Sequence, residues 1–239
     1  MEYTTDLEPV QWLKQNPAAR AATEPLLVKH LLPERYPYIR ALLPAVGIIE
    51  GFPFDQVKPD SSRIEQINRN VAIWTQHDVY RAGRTPVYQP TSFRQLAARF
   101  ALPYNLDLLG KLLWRTLGFA TLAEPTAAVL LDLLLQLAPA TTLNLYVEDS
   151  WRWGPEFTPI LPTDEEVLYR VTAREFIDFL QQAAFDATAY LFPDARNWCL
   201  VNVEDGLCPI IGGHADTEAL IAAHFRGEPL PLSAESEVF

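Results

Sequence analysis

Two stretches of the chain hold the residue types that could do chemistry. Asn197 to Asp216, NWCLVNVEDGLCPIIGGHAD, carries Cys199 and Cys208, the pair Glu204-Asp205, His214 and the doublet Gly212-Gly213. Leu143 to Gly154, LNLYVEDSWRWG, carries Glu148-Asp149 and then Trp151-Arg152-Trp153. Carboxylates in pairs suit a divalent cation, or general acid and base work. His214 beside Asp216 has the makings of a general base, and with His224 those of a metal ligand pair. Two indoles around an arginine are the residue types that dominate protein–protein contacts.

Each of these has a plainer reading. Trp198–Val203 and Leu207–Ile211 alternate around Glu204-Asp205-Gly206, as a β-hairpin with a glycine turn does. Opposite residues in a hairpin have a constant sum of residue numbers. Pairing Cys199 with Cys208 would leave no loop, whereas loops of two or three residues give sums of about 409 to 411. The cysteines are therefore offset, and their spacing is neither that of a zinc knuckle nor that of a CxxC redox pair. Two small buried hydrophobes are expected. Gly212-Gly213 lies in neither GxxxxGK[ST] nor GxGxxG, so it reads as a strand-to-helix turn. His214 lacks a nucleophile motif and a third ligand, so a place near a helix start is expected, with Asp216 or Thr217 as N-cap. No metal and no cofactor are expected. Strand ends and turns are also where acids ordinarily meet water. Trp151 and Trp153 either anchor a partner or cover a sheet edge.

The elements that must position these residues follow from periodicity. In residues 140–239, Thr142–Asp149 and Glu165–Val171 read as strands. Thr172-Ala-Arg-Glu175 is a capping box that opens a helix through about Ala183 with Phe176, Phe179 and Leu180 inward. A last helix is expected over about Thr217–Phe225. In residues 1–139, short helices are expected at about 8–15 and 17–31, and a short strand at Ala45–Phe52. A helix over 61–78 should turn Ile64, Ile67, Val71 and Trp74 inward. Helices are also expected over Thr91–Leu102, Leu106–Phe119 and from Glu124-Pro125 to near Pro139. The last is Leu-rich enough to predict burial on nearly all sides. The sum is an α+β fold, a helix-rich half (1–139) packed on a mainly antiparallel sheet from residues 140–239, in one domain of residues 1–239.

Composition narrows the setting. The chain has 239 residues, 49% hydrophobic and 21% charged, with 20 prolines that break it into short elements. It is long enough to bury roughly 70% of the surface its unfolded form exposes, without disulfide or metal support. No run of apolar residues reaches membrane-spanning length, no secretory signal is visible, and two cysteines make no disulfide framework. These features point to the cytoplasm. The net charge of −11 is lopsided. Residues 1–139 hold 14 basic and 13 acidic side chains; residues 140–239 hold 5 and 17. Such a surface repels nucleic acid and anionic membranes and attracts a basic protein.

Three segments carry a resemblance. FPDARNWCLVNVEDGLCPIIGGHADTEALI (Phe192–Ile221), LLPERYPYIRALLPA (Leu31–Ala45) and LNLYVEDSWRWG (Leu143–Gly154) resemble segments of a group of uncharacterised bacterial proteins. That group shows W-P-x-D-R-x-W-C-V, an acidic residue, then Y-V-G-G and an apolar helix. The chain departs from it at Phe192, Asn197 and Ile210-Ile211. The resemblance implies a bacterial origin and one coherent fold; it transfers no function and no site residue. The expectation is a bacterial cytoplasmic protein that binds a basic protein partner through Trp151, Arg152, Trp153, Glu148, Asp149, Glu204 and Asp205, of immunity or toxin-neutralising type. The alternatives are a hydrolase using those carboxylates with His214, and a structural subunit of an assembly.

Overall fold

The computed structural model describes residues 2–4, 6–14, 25–44, 46–54, 56, 64–78, 83, 87–106, 119–121, 126–139, 141–147, 167–183, 187–203, 206 and 208–238. In chain order its elements are β1 (Glu2–Thr4), a 3-10 turn (Glu8–Val10), α1 (Gln11–Lys14), α2 (Val28–Leu31), β2 (Tyr38–Leu43), β3 (Val46–Ile49), α3 (Ile64–Gln76), β4 (Tyr88–Thr91), α4 (Phe93–Phe100) and β5 (Phe119–Thr121). Then come α5 (Thr126–Leu137), β6 (Leu143–Val147), β7 (Val167–Val171), α6 (Ala173–Gln182), β8 (Ala189–Phe192), β9 (Trp198–Asn202), β10 (Ile210–Gly213), α7 (Ala215–His224) and β11 (Glu228–Leu232). They form two compact units, Met1–Leu43 with Pro125–Phe239, and Pro44–Glu124.

The first unit is built on an eight-stranded sheet in the order β1-β7-β6-β8-β9-β10-β2-β11, antiparallel throughout. Both faces are covered, so alternation sorts side chains into two cores rather than into core and water. Leu143, Leu145, Val147, Leu191, Trp198 and Leu200 face one way, against α5, α6 and α7. Tyr146, Tyr190, Phe192, Cys199 and Val201 face the other, against Val10, Val28, Leu31, Leu32 and Tyr36. The α+β class and the mainly antiparallel sheet are thus as the alternation predicts. β1 and β2 also bring the front of the chain into that sheet. The helices described in residues 1–139 are α1 to α5, and α1 and α2 are single turns; a helix-rich front half is not seen among the described residues. Of the helices expected at about 17–31 and over Leu106–Phe119, residues 17–24 and 107–118 fall outside them; the first ends as the single turn α2, and Phe119 opens strand β5.

Local signals explain the helix starts. Ser92 caps α4 by accepting from Gln95 N at 3.1 Å, and the Gln95 side chain accepts from Ser92 N at 3.0 Å. Thr172 and Glu175 do the same for α6, as its capping box predicts. The sheet's last strand, β11, contains Pro229 and Pro231. They share one parity, so their missing N–H groups fall on the side away from β2 and blunt that edge. Beyond β11 the chain returns to α2: Ser236 O and Ala234 O accept from Val28 N and Lys29 N, each at 3.0 Å.

The second unit holds the sheet β4-β3-β5 with α3 and α4. Ile49, Phe52 and Ile73 form its centre, with Phe54, Trp74 and Tyr88 packed around them. Here the predicted inner face of α3 is corrected. Ile64 and Val71 are 73% and 42% exposed, while Asn70 and Ile73 are buried. The helix carries apolar residues on more than one side, and the side bearing Ile73 is the one that meets Phe52. Burial of α5 on nearly all sides is corrected too. Leu135 is exposed, as are Ala128, Asp132 and Gln136, because α5 is an outer layer with one face on the sheet.

Gly212-Gly213 lies within β10 and not in the expected strand-to-helix turn, because its residue type serves packing. A Cβ on Gly212 would lie 2.9 Å from the Tyr36 ring, and one on Gly213 would lie 2.6 Å from Thr217. β10 is pinched between the two layers. Gly213→Ala should lower unfolding stability by about 1–3 kcal/mol, as overpacking does, measured by urea denaturation; an unchanged midpoint would show that Thr217 yields freely.

Candidate functional site

The predicted binding residues Glu148, Asp149, Trp151, Arg152, Trp153, Glu204 and Asp205 lie outside the described residues. The strands that lead to them are described, and their register is informative. Val147, the last residue of β6, stands opposite Ala189; Ala189 stands opposite Asn202, the last residue of β9. β6 and β9 therefore run in the same direction on either side of β8 and stop in one row. Two strand spacings separate them, about 10 Å. Val167, where β7 begins, is in the same row.

Three connections start or finish at this end of the sheet: residues 148–166, 183–188 and 203–209. By sequence they contain nine of the carboxylates of residues 140–239 (Glu148, Asp149, Glu156, Asp164, Glu165, Glu166, Asp186, Glu204 and Asp205), with Arg152 as the lone base. In sequence, then, about half of the acids of residues 140–239 fall in connections attached to this end of the sheet.

The other reactive residue types lie elsewhere. β10 pairs with β9 at a constant sum of 411, from Ile210 opposite Val201 to Gly213 opposite Trp198. Cys199 faces Gly212, not Cys208, as the hairpin arithmetic requires. Both thiols are free and buried. Burial pushes the Cys199 thiol far up, and the Cys208 thiol to about 12, so neither is a nucleophile near neutrality. His214 follows Gly213 and leaves the sheet where β9 begins. Four residues of β9, about 13 Å, separate that row from the row of Asn202. His214 is exposed and its ring centre is 6.0 Å from that of Tyr36. It occupies the N-cap position of α7, without a side-chain bond to the helix. This corrects the expected cap. The helix starts earlier, Asp216 sits exposed in its first turn, and Thr217 is turned inward against Gly213. Among the described residues no group of three or more His, Cys, Asp or Glu could hold a metal ion.

At this second end lies an arrangement the sequence reading missed. The turn Pro193–Arg196 is closed by Arg196 N donating to Pro193 O at 2.9 Å, with Arg196 in the left-handed region at φ 53°. The Arg196 carbonyl accepts from Arg35 Nη2 at 2.7 Å and from Tyr36 Oη at 3.1 Å. Burial raises the Tyr36 phenol far above its ordinary value, so it stays a donor. Trp12 stands against this corner, edge to face with Phe192 at 5.2 Å. Arg35 Cζ is 5.2 Å and Arg196 Cζ 5.8 Å from the Trp12 ring centre. The only sequence cue was the P-E-R-Y and P-D-A-R turns, which become neighbours through β-pairing far apart in the chain.

Beside it, Arg170 grips Asp194 by both carboxylate oxygens, at 2.5 and 3.2 Å, and donates to buried Asn144 Oδ1 at 2.8 Å. Asn144 Nδ2 donates to Asp194 at 2.8 Å. The bonds from Arg170, then from Asn144, hold the Asp194 carboxyl below its ordinary range. No described helix is long and apolar enough to cross a membrane.

Two outcomes are expected. A folded carboxyl with a depressed pKa adds stability that is present above the unfolded value near 3.9 and is lost as pH falls through the folded value. Asp194→Asn should therefore be less stable than the parent at pH 7, by up to about 1 kcal/mol for so exposed a pair. The gap should close in strong acid, and a gap independent of pH would contradict the network. A chromogenic thiol reagent should label neither cysteine in the native protein and both after denaturation; fast native labelling would contradict their burial. No family model, curated protein or solved structure matches the chain, so the reading of these two sheet ends rests on their own residues.

Proposed function

We propose that the protein is a bacterial cytoplasmic binding protein that holds a basic protein partner at the acidic end of its large sheet, in the manner of an immunity or toxin-neutralising protein. The observation that carries this is the common row of Val147, Ala189 and Asn202. In sequence, Glu148-Asp149 and Glu204-Asp205 begin within two residues of these strand ends, which lie about two spacings apart. Negative charge gathered at one end raises the encounter rate with a cationic surface. Trp151, Arg152 and Trp153 follow directly on Glu148-Asp149, and residues of these types supply lasting affinity when buried in a contact.

The hydrolase reading needs His214 beside the same carboxylates. β10 delivers His214 to the opposite end of β9, which favours the binding reading. The subunit reading draws on Ile64 and Val87, which are 73% and 74% exposed in the second unit.

The test is capture from lysate of the native cell at low and at high salt. The comparison is with Trp151→Ala/Trp153→Ala and with Glu148→Gln/Asp149→Asn/Glu204→Gln/Asp205→Asn. A basic protein should be retained at low salt, released as salt screens the contact, and weakened by either variant. Retention that ignores salt and both variants rejects this surface.

A further inference from the structure

The second sheet end sets two arginines side by side in an acidic protein. In the same unit, Arg40 pairs with Glu218, Arg170 with Asp194, Arg226 with Asp132 and Lys29 with Glu235. Arg35 and Arg196 have no such ion pair among the described residues, although the charge of Arg196 reaches Asp194. Asp194, two positions before Arg196, is already committed to Arg170 and Asn144. Both guanidinium groups nevertheless lie within 6 Å of one indole. Arg35 is exposed and Arg196 partly so, which leaves their remaining N–H groups open to a ligand. Arg196 uses only its backbone in the corner, as acceptor for Arg35 and Tyr36 and as donor to Pro193. Its side chain lies near Trp12 and within electrostatic reach of Asp194. Trp12 Nε1 is itself buried and has no acceptor among the described residues.

We infer that Arg35 and Arg196, aligned by Trp12 and Tyr36, form a binding site for a compact oxyanion, a carboxylate or a phosphate group. Guanidinium groups fixed on an aromatic surface lose little freedom on binding and present paired donors that match such anions. Like charges gathered around one ring repel until an anion joins them. A polyanion is a poor occupant, because the molecule as a whole carries −11 and repels extended phosphate chains. A small anion escapes that penalty, since screening confines the far field to about 8 Å at physiological salt.

The experiment is a titration of the full-length protein, labelled with nitrogen-15, with inorganic phosphate and separately with acetate, ionic strength being held constant with sodium chloride. The readout is the Trp12 indole N–H and the amides of Arg35, Tyr36 and Arg196. Saturable shifts confined to these groups are expected with at least one of the two anions. Phosphate alone identifies a phosphate-bearing ligand, and acetate alone a carboxylate. Arg196→Gln should weaken the response about tenfold, as removal of a charge-assisted contact does. Arg174→Gln, which removes an exposed arginine from α6, should leave it unchanged. If Arg196→Gln disturbs the fold, Arg196→Asn serves instead, since asparagine tolerates a left-handed φ. Shifts that never saturate, that chloride reproduces, or that survive loss of the Arg196 side chain overturn the assignment.

Discussion

A sheet covered on both faces cannot show polar chemistry from the middle of its strands. That constraint governs the larger unit. In β6 and β9 every residue is buried, and the side chains alternate between two apolar layers instead of between core and water. A slip of one residue would exchange the two layers, moving Leu143, Leu145 and Val147 into the space shaped for Asn144 and Tyr146. Register is therefore fixed at both faces at once. Asn144 reinforces it, because its amide is satisfied only where Asp194 and Arg170 can reach it.

Function is consequently pushed to the margins of the sheet. One edge is β11, whose two prolines cannot extend a ladder, and the other is the three-residue β1. Its two ends remain, and they differ in chemistry. One receives connections rich in carboxylates. The other gathers turns before β2 and between β8 and β9, where guanidinium groups meet aromatic rings. Each end is assembled from segments far apart in sequence, so each depends on the register that the twin cores impose.

This also explains what could be read in advance. β6, β7, α6 and β9 were legible because alternation and a capping box are local signals; β10 runs Ile210–Gly213, later than the expected Leu207–Ile211, because its pairing and not a tight turn sets its bounds. The offset of the cysteines was legible because a hairpin's arithmetic is local too. β8, with Ala189, Tyr190, Leu191 and Phe192, gave no alternation, since both of its faces are apolar. β2 failed for the same reason, and Pro229 and Pro231 disguised β11. The inner face of α3 was misjudged because hydrophobicity cannot choose between two apolar sides; contact with Phe52 does. Acidic excess in residues 140–239 was visible as composition, but that the strands preceding Glu148-Asp149 and Glu204-Asp205 stop in one row required knowing that β8 lies between β6 and β9. The Arg35–Arg196 corner showed only as two separate turns, because 160 positions separate Tyr36 from the carbonyl it binds.

The opposite characters of the two ends do not cancel. β9 spans about 13 Å between the row of Trp198 and the row of Asn202, longer than the screening length of about 8 Å in physiological salt. An ion approaching either end therefore responds mainly to the charges of that end. The proposed cationic partner and the proposed small anion would therefore meet largely independent fields. The same separation sets a limit on coupling. Occupancy of the arginine corner could influence the acidic end only through the sheet itself, and a sheet packed tightly on both faces has few ways to move.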